Sequence, residues 1–274
     1  MGFEDVKIAF LGAGAMGGAM IQGMLHNQLL APQQIIAADP RIERGAELQQ
    51  QHGIQHTTDN LEAVEDADII VLAVKPQVLD RAMAPLRGRV DSVSLIMSIV
   101  AGAKIRTIAG DLHNSRVVRA MPNTPGQIGQ GVTVWTATHE VMEAQREQAR
   151  LLLGALGEQV YTEDEKFLDM ATAVGGSGPG YVFLIIEAMI DAGVHLGFSR
   201  ADAEKIAVQT VKGSAEYMME SGQHPAILRN QVTSPGGTTA AGLAELERHG
   251  IRKAISEAIW ASYHRSVELG EGDD

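Results

Sequence analysis

The feature that most limits the fold lies near the start of the chain. There the apolar run Val6-Lys7-Ile8-Ala9-Phe10-Leu11 meets the turn Gly12-Ala13-Gly14-Ala15-Met16-Gly17. Residues 6–11 read as a buried strand, and Met16, Met20, Met24 and Leu25 predict a helix over 16–28. Gly12, Gly14 and Gly17 fit G-x-G-x-x-G. The first glycine permits a tight turn, the second lets a pyrophosphate approach the backbone, and the third lets helix pack closely on strand. Free N–H groups at the helix start then face the phosphates. A strand before the turn and a helix after it are the context that separates a dinucleotide site from a chance glycine turn.

The next segments repeat the alternation. Ile35-Ile36-Ala37-Ala38 ends in Asp39-Pro40, about 20 residues past the third glycine, where a βαβ unit ends its second strand. A carboxylate there can hold both adenosine ribose hydroxyls. Arg41 and Arg44 can instead pair with a 2′-phosphate, and all three also suit a solvated helix start. A polar helix over 42–52 and a short strand over 53–56 follow, and Asn60 reads as the N-cap of the next helix. Three further strands are predicted. Ala67 to Val74 ends in Lys75-Pro76, Ser94 to Val100 in Ala101-Gly102, and Arg116 to Ala120 in Met121-Pro122-Asn123-Thr124-Pro125-Gly126. The alternation predicts an α/β fold with a Rossmann-type, doubly wound parallel sheet, its ligand lying beyond the carboxyl ends of the strands. Lys75 precedes a proline and is therefore extended, so its backbone more than its ammonium is expected to line the cofactor. The Asn123 amide can bind a nicotinamide carboxamide or simply form the turn.

From about Val141 helical spacing dominates. Ser199 and Asp202 form a capping box for a helix with Ile206, Ala207, Thr210, Val211, Ser214 and Met218 on one face, stopped by Gly222. A last helix is predicted over 251–269, followed by a frayed tail over 270–274. The domain boundary is placed in Glu163-Asp164-Glu165-Lys166, giving a dinucleotide-binding domain over 1–163 and an all-helical domain over 164–274. Wide apolar faces on so small a helical domain call for a second copy, so a homodimer is expected. Trp135 and Trp260 read as core or interface. Two glycine-rich breaks, Gly175 to Gly180 and Ser234-Pro235-Gly236-Gly237-Thr238-Thr239, interrupt this half. The second suits a small carboxylate: its glycines let N–H groups converge, a helix start adds its dipole, and the hydroxyls donate.

Composition narrows the partners. A net charge of −12 argues against nucleic acid and anionic membranes. Apolar runs such as Ile69 to Val74 and Val182 to Ile186 are too short to span a bilayer, and no cationic-then-apolar leader opens the chain. The absence of cysteine excludes disulfides and thiol catalysis and fits a cytoplasmic protein. The histidines, among them His52, His56, His195 and His224, show no paired ligand spacing, so no metal is expected.

Val118-Arg119-Ala120-Met121-Pro122-Asn123-Thr124-Pro125, Ser177-Gly178-Pro179 and Val232-Thr233-Ser234-Pro235-Gly236-Gly237-Thr238-Thr239 together closely resemble pyrroline-5-carboxylate reductase. The glycine-rich opening, Ala73-Val74-Lys75-Pro76 and Ser98-Ile99-Val100-Ala101-Gly102 fit the same pattern. The resemblance implies reduction of L-1-pyrroline-5-carboxylate to L-proline with NADPH, or alternatively NADH, the last step of proline biosynthesis. It implies a helical dimerisation domain and dimers that assemble further, commonly as decamers. By the same resemblance the dinucleotide contacts Gly12, Ala13, Gly14, Ala15, Met16 and Gly17, then Asn60, Ala73, Val74, Lys75 and Pro76, and Ile99, Val100 and Ala101. The substrate lies around Ser234, Gly236, Gly237, Thr238 and Thr239. Thr239 matches the family threonine that bonds the imine nitrogen, and Glu165 matches a carboxylate near the substrate. Ser177 is either a turn former or a wall of that pocket. The chain departs from the family pattern at Gly175, Gly180 and Asn230, where serine, alanine and often aspartate are usual.

Hydride transfer needs an electrophilic carbon held against a nicotinamide in a dry, rigid site. A ketone also needs a proton donor for its alkoxide. Related hydroxyacid dehydrogenases place a lysine on the helix after a glycine turn, and Tyr181 to Glu187 offers none. A protonated cyclic imine needs no strong acid, which favours an imine. The competing expectations are a hydroxyacid-type or broader imine reductase, and a catalytically silent dinucleotide sensor.

Overall fold

A computed structural model describes residues 3–271 of the chain. Elements in chain order are β1 (Ile8–Leu11), α1 (Ala15–His26), β2 (Ile35–Ala38), α2 (Ile42–His52), β3 (Gln55–Thr57), α3 (Asn60–Val64), β4 (Ile69–Leu72), α4 (Leu79–Met83), β5 (Leu95–Ser98) and α5 (Ile105–Leu112). They continue with β6 (Val117–Met121), β7 (Gly131–Ala137), α6 (Glu143–Gly154), β8 (Gly157–Tyr161), α7 (Phe167–Ala171), α8 (Gly178–His195), α9 (Arg200–Ser221), α10 (Pro225–Gln231), α11 (Thr238–Arg248) and α12 (Ile251–Glu271).

One eight-stranded sheet has the order β3-β2-β1-β4-β5-β6-β7-β8. Every neighbouring pair is parallel except β6 and β7, which run antiparallel with Ala120 opposite Trp135. The strand order reverses between β1 and β4, the switch point at which such sheets bind ligands. Strands β1 and β4 are apolar at every position because both faces are covered. Side chains alternate between two cores. Ile8, Phe10, Ile69 and Val71 pack with Met20 and Met24 of α1 and Leu152 and Leu153 of α6. Ala9, Leu11, Ile70 and Leu72 pack with Ala63 of α3, Met83 of α4 and Ile108 of α5. Each large side chain so buried contributes about 1.5–3 kcal/mol. Trp135 belongs to the first core and stands edge-on to Tyr161, with ring centroids 4.8 Å apart.

The chain divides into two compact units, one of residues 3–177 with 262–271 and one of residues 178–261. The division falls beyond the charged stretch at 163–166. Glu165 and Asp169 are bonded to Arg119 of β6, and Ser266 is bonded to Asp169, so these segments belong with the sheet. Strands β7 and β8 extend the sheet past the last strand expected. Gly270 and Glu271 are still helical, and the rest of the expected tail, 272–274, lies outside the described residues.

The second unit is helical throughout. Ser199 Oγ accepts the Asp202 N–H at 3.1 Å and donates to its carboxylate at 2.7 Å, and Gly222 closes α9 in the left-handed conformation. Helices α8 and α9 approach closely, since a Cβ at Gly193 would lie 2.9 Å from that of Ala203. Among the described residues of this unit only Ala203 and Ala207 are buried, while Phe183, Leu184, Met219 and Trp260 are all exposed. The helical run Phe167–His195, through a π-turn at Thr172–Gly176, is long and apolar enough to cross a membrane by length and composition, with a mean hydropathy of 1.4.

Candidate active site

The carboxyl edge of the sheet is stitched past the ends of its strands. Gly12 N–H donates to Ala38 O at 2.8 Å, Ala73 N–H to Leu11 O at 2.8 Å, and Ile99 N–H to Leu72 O at 3.0 Å. This places the turn after β1 between the ends of β2 and β4, and the turn after β5 beside the end of β4. Gly12 has φ +97°, and a Cβ there would lie 2.7 Å from the Ala73 carbonyl oxygen. A Cβ at Gly17 would overlap the Gly12 carbonyl. At Gly14 it would meet nothing within 4 Å. Gly14 is the N-cap of α1 and no side chain caps that helix. The free first-turn N–H groups therefore face open space that a pyrophosphate can fill. A dinucleotide fits this cradle.

Asp39, at the end of β2, is 4% exposed. Its Oδ1 accepts Arg41 N–H at 3.0 Å and Arg41 Nε at 2.8 Å, and its Oδ2 accepts Ala13 N–H at 3.1 Å and Arg41 Nη2 at 2.8 Å. A carboxylate has about four acceptor positions, and all are taken within the chain. Burial pushes the Asp39 pKa up, but the bonds from Arg41 and Ala13 outweigh it and hold the carboxyl below its ordinary value. The same pairing raises Arg41. Arg44 donates from Nε to Ala13 O at 2.8 Å and lies across α1, where a Cβ at Gly18 would be 2.5 Å from its Nη2. Gly18 is outside the G-x-G-x-x-G pattern, and its lack of a side chain is what admits this guanidinium. The two arginines thus flank the phosphate turn, while the carboxylate braces it.

The other residues singled out from the sequence fall as follows. Lys75 is extended before the turn Pro76–Val78. Asp59, not Asn60, caps α3, its Oδ1 accepting the Leu61 N–H at 2.8 Å; Asn60 is the first helical residue and donates to Ala82 O at 3.1 Å. The cap moved by one because Asp59 keeps the extended backbone that a cap requires. Val100 N–H bonds Ser98 Oγ at 3.3 Å, tightening the turn that carries Ile99 and Ala101. Asn123 accepts Val132 N–H at 2.9 Å and donates to Gly175 O at 3.2 Å, so its amide ties the turn after β6 to the π-turn. Ser177 shares a 2.7 Å hydrogen bond with Ser262. Glu165 is bonded to Arg119 and to Ile105 N–H. Arg119 lies in the family-like stretch Val118 to Pro125, but no spacing or periodicity gave it a role, and it reads as one polar break in an apolar run.

In the second unit, Ser234 to Thr239 forms a turn with Gly236 at φ +67° and Gly237 N–H bonded to Ser234 O at 3.0 Å. Gly237 is the N-cap of α11, and a Cβ on it would overlap Ser234 Oγ. Thr238 and Thr239 open the helix. Among the described residues neither makes a side-chain hydrogen bond. Uncapped N–H groups and free hydroxyls therefore converge at one helix start, an arrangement suited to a small carboxylate.

Comparison with known proteins matches both halves. Residues 165–269 fit the family model described as pyrroline-5-carboxylate reductase dimerisation, and residues 7–102 fit that of the coenzyme F420-dependent NADP oxidoreductases. A pyrroline-5-carboxylate reductase of Synechocystis is 42% identical over 97% of this chain and 99% of its own length. The chain belongs to the pyrroline-5-carboxylate reductase family. A second reductase, from Pseudomonas aeruginosa, is 41% identical over 97% of both chains. The crystal structure of a Plasmodium falciparum pyrroline carboxylate reductase with NADP bound superposes with a TM-score of 0.89 at 31% identity, covering 98% of this chain and all of that one. For this member of the reductase family, the helical region with so few buried side chains is therefore the part that matches a dimerisation domain.

Proposed function

We propose that this chain reduces L-1-pyrroline-5-carboxylate to L-proline with NADPH, the closing step of proline biosynthesis. The observation that carries the proposal is the second turn, Ser234 to Thr239, which keeps a helix start and two threonine hydroxyls uncommitted. A dinucleotide sensor has no use for such a turn. A bound dinucleotide supplies the hydride. The first turn of α1 and the backbone at Ala73 to Pro76 and Ile99 to Ala101 hold it. Arg41 and Arg44 favour a 2′-phosphate, and Asp39 has no acceptor position left for ribose hydroxyls, so NADPH is preferred over NADH. The turn at Ser234, Gly236, Gly237 and Thr238 binds the substrate carboxylate, and Thr239 holds the ring nitrogen. When hydride adds to the carbon of the protonated imine, the electron pair of the broken π bond stays on nitrogen. The product is a neutral amine and no general acid is required.

In functional terms residues 3–163 carry the dinucleotide site, and the helical unit of residues 178–261 binds substrate and pairs with a second copy. Exposed Phe183, Leu184 and Met189 on α8 are the face that pairing covers. The chain works as a homodimer or a larger assembly of dimers in the cytoplasm.

The test follows absorbance at 340 nm with pyrroline-5-carboxylate and each cofactor in turn. Oxidation of NADPH faster than NADH is expected, and no loss with either overturns the assignment. Thr239→Ala should lower turnover or raise the substrate KM while dinucleotide binding holds; equal losses in both would remove its role.

A further inference from the structure

Arg119 is a cation inside the sheet. It lies on β6 between the buried Val118 and Ala120, is 3% exposed, and pairs in register with Ser98, the last residue of β5. Its Nη1 donates to Glu165 Oε1 at 2.8 Å, and its Nη2 lies 3.4 Å from Asp169 Oδ1. Each carboxylate holds a further segment. Glu165 Oε1 accepts the N–H of Ile105, the first residue of α5, at 2.8 Å. Asp169 Oδ1 accepts the hydroxyl of buried Ser266, on α12, at 3.0 Å. Downstream on α12, Leu269 and Gly270 press on Gly102, where a Cβ would lie 3.3 Å from that of Leu269.

The segment enclosed by these restraints is the loop of residues 99–104. It leaves β5 bonded to Leu72 O through Ile99 and enters α5 under Glu165, while the end of α12 covers Gly102. It stands at the carboxyl edge of the sheet beside Ala73, where ligands of such sheets bind. Burying an ion pair is a poor way to gain stability, since an apolar side chain of similar volume commonly does as well or better. What an apolar residue cannot do is orient two carboxylates from one planar fork, and a lysine, a single point charge, does it less well.

We propose that Arg119 is a positioning residue for the cofactor loop. Through Glu165 it fixes the end of the loop at Ile105, and through Asp169 and Ser266 it holds α12 over Gly102 in the middle, and so sets how the dinucleotide is seated. The effect on NADPH rests on the function proposed above; the effect on the loop does not.

The experiment uses the full-length protein with Arg119→Lys, Glu165→Gln and Ser266→Ala. Amide exchange over 99–105 is measured without any dinucleotide, and the KM values for NADPH and pyrroline-5-carboxylate are measured separately. Glu165→Gln and Arg119→Lys should each speed exchange at 105 by about tenfold or more. Arg119→Lys and Glu165→Gln should also each raise the NADPH KM by about tenfold, and for Arg119→Lys, which lies outside the substrate turn, the imine KM should stay within about twofold. Ser266→Ala should act in the same direction and more weakly. Unchanged exchange over 99–105 overturns the proposal. So does a fall in Tm with both KM values unchanged, because a merely structural pair predicts that. If Arg119→Lys does not fold, the other two variants decide. Faster loop exchange in a protein whose wild type fails to oxidise NADPH with pyrroline-5-carboxylate upholds the restraint and overturns the assigned reaction instead.

Discussion

Asp39→Asn separates two roles that a carboxylate at the end of β2 can play. As a ribose ligand it would be needed for NADH and dispensable to the fold. As a brace it should matter to the fold and treat both cofactors alike. Asparagine keeps the shape but turns one oxygen into a donor. The new NH2 must then face either Ala13 N–H or the Arg41 donors, which are all donors themselves. A hydrogen bond to a charged group contributes about 1.5–3 kcal/mol, and a buried donor left unpaired costs about 1–3 kcal/mol. Arg41 is 61% exposed, so its freed N–H groups return to water and that side of the loss is small. The amide therefore keeps its oxygen on Ala13 N–H and turns its NH2 toward Arg41, and losing the charge on the first bond together with the Arg41 backbone bond costs about 2 kcal/mol. At about 2–4 °C per kcal/mol, Tm should fall by about 4–8 °C. Scanning calorimetry measures this, and dinucleotide fluorescence gives Kd for NADPH and NADH. Both Kd values should weaken together, their ratio staying within about threefold. An unchanged Tm with NADH binding alone weakened tenfold or more would refute the brace.

Acid should expose the same group. The Asp39 pKa is held below its ordinary 3.8, so its stabilisation is complete above that value and is lost as pH falls through the lower native one. The stability gap between wild type and Asp39→Asn should therefore close below about pH 4, as urea titrations at several pH values can show. Gly14→Ala and Gly17→Ala should part company. The first meets open space and should leave Tm unchanged or slightly higher while weakening dinucleotide binding, whereas the second collides with the Gly12 carbonyl and should cost about 1–3 kcal/mol by urea titration. Leu184→Glu puts a charge on the exposed face of α8 and should shift light-scattering mass toward monomer; an intact dimer of unchanged Tm would place the interface elsewhere.

Most of the sheet was legible because β1, β2, β4, β5 and β6 are short apolar runs, each stopped by glycine, proline or aspartate at the edge that matters. Strands β7 and β8 were not. Gly131 to Ala137 follows a proline-rich turn and pairs antiparallel to β6, while Gly157 to Tyr161 is an edge strand whose one aliphatic side chain, Val160, is exposed. The phosphate turn could be read to the residue, since glycines carry their reason with them. Asp39, Asn123 and Glu165 could not. A carboxylate or amide at a strand end has the same letter whether it faces a ligand or the protein's own backbone, and only the partners decide. Arg119 was hidden for the opposite reason, because a lone charge inside a strand gives no periodic signal.

The last ten described residues of the chain belong to the unit that the first residues begin. During synthesis the strands of that unit leave the ribosome before residues 178–261, yet Ser266 and Leu269, which close on Asp169 and Gly102, emerge only after them. The nucleotide-binding half is thus begun before the helical segment and finished after it. In between comes a helical segment with only two buried alanines, which gains little by folding before it meets another chain. Folding of this protein should accordingly show a fast unimolecular phase for the sheet and a slower phase whose rate rises with protein concentration. A nascent chain stalled before residue 262 should hold its first-made domain only loosely shut.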